Sequence, residues 1–338
     1  MMREKKRADP WLRLTAFLLA LILLLVLTWF LGWLLMPQRK SYGSMWEQYR
    51  QEPRDGVDVL FFGSSVVYCD VAPAWIWEES GVRSWVMAGP EQTLSLTYYY
   101  LREALKTQTP EMVVVEVTGL FFEKYQNYTR ANISTMPFSL NRLAAVFQAA
   151  ETSEWKGLLF PLYNYHARWT DAERTEMEEH LRPSRDLMAG YTPLGRALPQ
   201  NPRINNGRVL NEVTYAENLR WLARIRDLCR DRDIRLLIYL APAAARTPLQ
   251  LTERIDTDAE ALGIEMLDLS DLTEELEIDY EQDWYDPLHF NIRGAEKFSR
   301  WWGIWLASEL APEPAHGEKL WEQRLEAVIQ KKDRLLAG

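Results

Sequence analysis

The feature that most constrains this chain is a stretch of 23 residues, Leu14 to Met36, without a single charge. Twenty of them are apolar, the exceptions being Thr15, Thr28 and Gly32. Wound as a helix at about 1.5 Å per residue, the stretch reaches about 34 Å, enough to cross a hydrocarbon core of about 30 Å. Trp11, Trp29 and Trp33 lie toward its ends, where indole rings favour the membrane interface. A buried core helix is the other place for a run apolar all round, but uninterrupted apolarity at this length beside a charged tail disfavours it. A cleaved leader would carry a shorter apolar region, about 7–15 residues, and a small-residue cleavage site. The segment Gly32 to Pro37 offers no such site. Residues 14–36 are therefore expected to form a transmembrane anchor.

Charge gives the orientation. Arg3, Lys5, Lys6, Arg7 and Arg13 precede the span and are opposed only by Glu4 and Asp9. The positive-inside rule keeps residues 1–13 in the cytoplasm and exports the remainder. The net charge of −9 divides into +3 for that tail and −12 for the rest. An acidic exported body argues against nucleic-acid binding. With only Cys69 and Cys229, a disulfide scaffold and a multi-cysteine zinc site are excluded, and no other metal-ligand spacing or phosphate loop is present. Outside the anchor the chain stays apolar enough for a substantial core.

Residues 37–55 are polar and irregular, a stalk. Beyond them, strands and helices alternate, the pattern of a doubly wound parallel sheet. Apolar runs at 57–62, 82–87, 112–117, 234–240 and 264–269 read as strands. The run Met112 to Val117 is so continuous that both faces are expected to be covered. Helices are expected at 92–106, 215–230, 248–262 and 292–310, the last capped by Asn291. An amphipathic helix is expected within residues 311–338, docked on the body. From about 120 to 213 the alternation fails. This region is expected to be an insertion over the strand ends with two or three short helices, inside one α/β domain spanning 56–310.

Two short motifs carry chemistry. Phe61-Phe62-Gly63-Ser64-Ser65 closes the first strand, and ligand groups in open α/β sheets gather at the carboxyl ends of strands. Asp286-Pro287-Leu288-His289 lies past the last strand and before a helix. A serine needs a base to take its proton, and a carboxylate fixes the tautomer of a histidine base. Of the other histidines, His180 and His316 read as surface residues, and His166, in the insertion, is a candidate for a substrate role. The 15 tryptophans read chiefly as packing residues, with Trp155, Trp169 and Trp284 as candidates for stacking on sugar rings.

Together the two motifs resemble the first and last blocks of the SGNH/GDSL hydrolase superfamily, the last continued here by Phe290, Asn291 and Gly294. The resemblance covers about 55–118 and 230–310. It implies a flavodoxin-like α/β fold without a cofactor, Ser65 as nucleophile, His289 as general base and Asp286 as its orienter. It further implies an oxyanion hole from the N–H groups of Ser65 and Gly89. The Asn that the third block would supply is absent, since Val117-Thr118-Gly119-Leu120 stands in its place, and Gln92 is a candidate donor or a helix-start residue. This departure, with the single anchor, is similar to the surface O-acyltransfer proteins of teichoic acid D-alanylation and alginate O-acetylation. That branch implies a multi-spanning membrane-bound O-acyltransferase as partner and a cell-surface glycan as acceptor. The alternatives are an SGNH esterase or deacetylase, and a non-catalytic glycan-binding scaffold.

Overall fold

Five short apolar runs become the strands β1 (Val59–Gly63), β2 (Ser84–Ala88), β3 (Met112–Glu116), β4 (Arg235–Leu240) and β5 (Glu265–Asp268). In the computed structural model, which describes residues 9–37, 46–310 and 318–337, they form one sheet in the order β2-β1-β3-β4-β5, every pair parallel. β1, β2 and β3 are buried along their whole length, as continuous apolarity demands when helices cover both faces. β5 is the half-exposed edge.

Among the helices are α1 (Pro10–Leu34), α2 (Ser65–Asp70), α3 (Pro73–Ser80), α4 (Leu94–Ala104), α5 (Glu212–Arg230), α6 (Leu249–Leu262), α7 (Ile292–Leu310) and α8 (Lys319–Leu336), with further short helices between them. On one face of the sheet Val59, Phe61, Val114, Leu237 and Tyr239 pack with Trp75 of α3, Phe298 and Trp302 of α7, and Val328 of α8. The alternate residues Leu60, Phe62, Val113 and Val115 are equally buried on the other face, where α4 and α5 pack together. α8 is tied down by Arg324, fully buried and paired with Glu52 at 2.6 Å. As expected, Asn291 caps α7, its Oδ1 accepting from the N–H of Arg293 at 2.9 Å.

The described residues divide into two compact units. One is the sheet with its helices, 46–151 and 184–337; the other joins α1 to residues 152–183. The expected insertion is thus divided between them. It also holds more helix than expected: Thr129–Thr135, Leu140–Ala149, Thr152–Leu159, Pro161–Tyr165 and Arg174–Leu181. These pieces are too short to show a full amphipathic period, and local devices start them, such as Ser139 Oγ accepting from Arg142 N–H and Pro161 in a first turn. The basic tail residues Arg3, Lys5, Lys6 and Arg7, residues 38–45 of the expected stalk and His316 lie outside the described residues. The rest of that stretch is not the irregular stalk expected: Trp46–Tyr49 is helical, and Trp46, Tyr49 and Glu52 are buried against the body.

α1 opens at Asp9, whose carboxylate accepts from the Trp11 N–H at 3.0 Å. It has 25 residues and a mean hydropathy of 2.8 over its most apolar window, long and apolar enough to cross a membrane. Its side chains face outward along most of its length.

Candidate active site

Gly63 ends β1 where the chain must turn tightly. A Cβ there would stand 2.5 Å from Val67 Cγ2 and 3.0 Å from Glu116 Cβ, so only glycine allows α2 to start directly above the sheet. Ser65 is the first residue of α2. Its N–H belongs to the helical turn that has no preceding carbonyl to bond.

Asp286 and His289 share one side of a tight turn. Asp286 Oδ1 accepts from the backbone N–H groups of Leu288 at 2.8 Å and His289 at 3.0 Å. The same carboxylate meets His289 Nδ1 at 2.9 and 2.8 Å, and His289 Nε2 lies 2.8 Å from Ser65 Oγ. A carboxylate only accepts, so Nδ1 carries the proton. In the neutral imidazole Nε2 is then the acceptor, and Ser65 O–H donates to it. Partial burial pushes the Asp286 carboxyl up, but the bond and charge of His289 and the two N–H groups outweigh this and hold it below the usual carboxylate range. Ser65, His289 and Asp286 are all half-buried.

Ser64 is set apart from this chain of bonds. It is buried, with its Oγ 3.4 Å from Thr118 Oγ1. Thr118 in turn donates both its N–H and its O–H to the buried Glu116 at the carboxyl end of β3. Burial pushes the Glu116 carboxyl up; the charge of Arg208 and the bonds from Thr118 and the Ala241 N–H partly offset this. Thr118, in the segment where the third-block Asn is absent, is thus bonded to a buried carboxylate at the end of β3.

The other oxyanion candidates are placed as follows. The Gly89 N–H follows β2 and makes a long contact, 3.4 Å, with the Gly63 carbonyl. Gln92 is buried, and its amide donates to the Met87 carbonyl at 3.2 Å and to Thr97 Oγ1 at 3.0 Å. Its two amide hydrogens are thus engaged between β2 and α4.

Sequence reasoning missed Asp70. It ends the short helix that Ser65 begins, and its Oδ1 accepts from the Phe290 N–H, next to His289, at 3.0 Å. Burial holds the Asp70 carboxyl well above its ordinary range, with the Phe290 N–H opposing and the charges of Asp286 and Glu116 adding to the rise. A lone carboxylate in the apolar run Val66 to Ala74 is the signal that would have found it. The stretch 192–203 also escaped notice as a frame. Its backbone bonds join Thr192 to Tyr68 on α2, Leu194 to Ile292, Leu198 to Trp284 and Arg203 to Ala244.

Two expectations about other residues change, those for Trp284 and His180. Trp284 is fully buried with its ring centroid 4.3 Å from that of Phe290, so it packs and does not stack on a ligand. Trp155 and Trp169 belong to the unit that contains α1. His180 is buried, not on the surface, because its Nε2–H donates to the Met36 carbonyl at 2.7 Å. His166 is exposed in that same unit. Cys69 and Cys229 are both buried and free, and among the described residues no cluster of His, Cys, Asp and Glu could hold a metal ion.

The fold also has counterparts among solved structures. No protein-family description and no curated protein match the chain. A crystal structure of a "putative acylhydrolase" from Bacteroides fragilis is similar over 78% of this chain and 94% of its own, at 11% identity and a TM-score of 0.36.

Proposed function

We propose that this chain is a membrane-anchored, extracytoplasmic serine enzyme of acyl esters that transfers an acyl group to a cell-surface glycan. The observation that carries the reading is the unbroken series Asp286, His289, Ser65 at 2.8 Å steps, at the carboxyl end of a parallel sheet. Ser65 Oγ attacks the acyl carbonyl while His289 Nε2 takes its proton, and Asp286 stabilises the imidazolium that forms. The developing oxyanion rests on the N–H groups of Ser65 and Gly89, with no part for Gln92. His289 returns the proton to the leaving group, and acyl-Ser65 remains. An acceptor hydroxyl then gives its proton to His289 and attacks the acyl carbon, which restores Ser65. Water as acceptor would make the same residues an esterase.

The transfer reading draws on the departure at Thr118 and on α1. A span puts the domain where a multi-spanning O-acyltransferase would deliver acyl groups, and tethering raises effective concentration there. The test has two arms. A serine-directed fluorophosphonate labels the wild type and not Ser65→Ala; absence of labelling, or equal labelling of both, returns the chain to a non-catalytic scaffold. Acetyl release from an activated ester is then followed with and without glycan. Equal release with no acylated glycan identifies an esterase.

A further inference from the structure

The carbonyl end of α1 is held by residues far along the chain. Arg168 Nη1 donates to the Leu35 carbonyl at 2.8 Å, and His180 Nε2–H to the Met36 carbonyl at 2.7 Å. The Trp33 ring packs on His180 with centroids 4.9 Å apart. A Cβ on Gly32 would lie 2.2 Å from the Leu162 backbone nitrogen, so the two backbones meet at the one residue in the run without a side chain. Carbonyls at a helix end have no partner within the helix, and here residues 161–180 supply two of the donors. The segment is therefore fixed to one end of α1.

Around this clamp several large side chains point away from protein. Trp169 is 73% exposed, Leu181 57%, Tyr163 55% and Phe160 52%. Lys156 lies over the Tyr163 ring at 4.0 Å. Aromatic rings beside a cation match the boundary between headgroups and acyl chains, where an amphipathic ring has its apolar body in lipid and its polar edge in water. Residues 152–183 carry six acidic and four basic side chains, so attraction to anionic lipid does not explain the surface. Apolar contact does.

We propose that residues 160–181 form a lipid-seated collar: with the end of α1 at the outer leaflet, Phe160, Tyr163, Trp169 and Leu181 enter the headgroup and glycerol layer of that leaflet. The proposal rests on the reading of α1 as a membrane span. The collar fixes the depth at which the chain leaves the bilayer by apolar burial, independently of lipid charge. Its side chains reach about 5–10 Å into the headgroup boundary, as interfacial helices do.

The full chain in vesicles of zwitterionic phosphatidylcholine tests this. Variants with one added cysteine, Ile22→Cys, Tyr163→Cys or Trp169→Cys, are labelled with a fluorophore while buried Cys69 and Cys229 stay unlabelled. Each is quenched by lipids bearing a nitroxide near the headgroup or deep in the chain, and by a water-soluble quencher. The expected result is deep quenching at position 22 and shallow lipid quenching, exceeding aqueous quenching, at 163 and 169. Lipid quenching at 22 with aqueous exposure at both 163 and 169 overturns the collar and leaves the span. Aqueous exposure at 22 overturns the span and the collar with it. Two collar positions guard against a local defect at either one.

Discussion

Asp70 accepts a hydrogen bond from the backbone N–H of Phe290 at 3.0 Å, and so fastens the turn that carries His289 to the helix that Ser65 begins. Ser65 and Asp70 lie on one rigid element, and His289 and Phe290 are consecutive. The distance between Ser65 Oγ and His289 Nε2 is thus bounded from both sides.

Removing that fastening is expected to cost rate before it costs binding. Asp70→Ala leaves the Phe290 N–H buried without an acceptor, a penalty of about 1–3 kcal/mol. A displacement of the imidazole by about 1 Å is expected to lower kcat by about 10²-fold. Asp70→Asn keeps the carbonyl acceptor and is expected to restore most of kcat. Steady-state kinetics on a chromogenic acyl ester, with kcat and KM resolved, check this. Equal losses in both variants would show that Asp70 does not act through Phe290.

Substitution of the three bonded side chains should be steeply non-additive. Ser65→Ala and His289→Gln are each expected to lower kcat by about 10⁶-fold, with the double variant no worse, as groups that act as one unit do. Asp286→Asn puts the wrong tautomer on His289 and is expected to cost about 10⁴-fold. Additive losses across the Ser65 and His289 variants would contradict a shared step.

The contrast between Asp286 and Asp70 shows what the sequence could disclose. Asp286, Leu288 and His289 bond within four residues, so a local motif contains the whole turn. β1, β2 and β3 were legible as apolar runs, because strands covered on both faces need no alternation to be recognised, and the half-exposed β5 was placed by the apolar residues among its acidic ones. Asp70 and Phe290 are 220 residues apart, and Glu116 draws on the Ala241 N–H and the Arg208 charge. Nothing local marks such carboxylates apart from an apolar neighbourhood. α2 and α3 escaped because they are 6 and 8 residues long and are separated only by Val71 and Ala72. The same distance rule hid the clamp on α1, where Arg168 and Leu35 are 133 residues apart.

Gln92 gives a sharp test of the oxyanion assignment. Its amide donates to Met87 and Thr97, so Gln92→Met is expected to lower stability by about 0.5–1.5 kcal/mol per lost bond while kcat stays within a few-fold. A residue that donates to the oxyanion would instead cost about 10²–10³ in kcat when removed. Denaturant titration and ester kinetics on the same variant separate the two roles.

Stability against pH should report the burial of Asp70. Its folded-state carboxyl is held well above the ordinary range by burial, so the folded state keeps a proton that the unfolded state loses above about pH 4. Through Asp70, stability therefore falls as pH rises from about 4 toward the folded value. Asp286 acts in the opposite sense and only at lower pH, since its folded value lies below the usual range. Asp70→Asn abolishes the Asp70 contribution. The Tm of this variant relative to the wild type is expected to climb steadily above about pH 4. A constant difference across that range would mean that Asp70 titrates alike in both states.

Gly63 joins the fold and the candidate site at a single atom position. A methyl group there meets Val67 Cγ2 at 2.5 Å and Glu116 Cβ at 3.0 Å, one neighbour on the helix of Ser65 and the other at the end of β3. Overpacking of this kind costs about 1–3 kcal/mol. Gly63→Ala is therefore expected to lower stability by that amount and to reduce fluorophosphonate labelling of Ser65 through a shift of α2. Val67→Ala removes the nearer clash. In a double-mutant cycle the pair is expected to be coupled by about 0.5–3 kcal/mol, with Gly63→Ala less harmful in the Val67→Ala background. Simple additivity would place the cost of Gly63→Ala in the backbone turn itself. Recovered stability without recovered labelling would locate the remaining constraint at Glu116, whose backbone-linked Cβ cannot move aside.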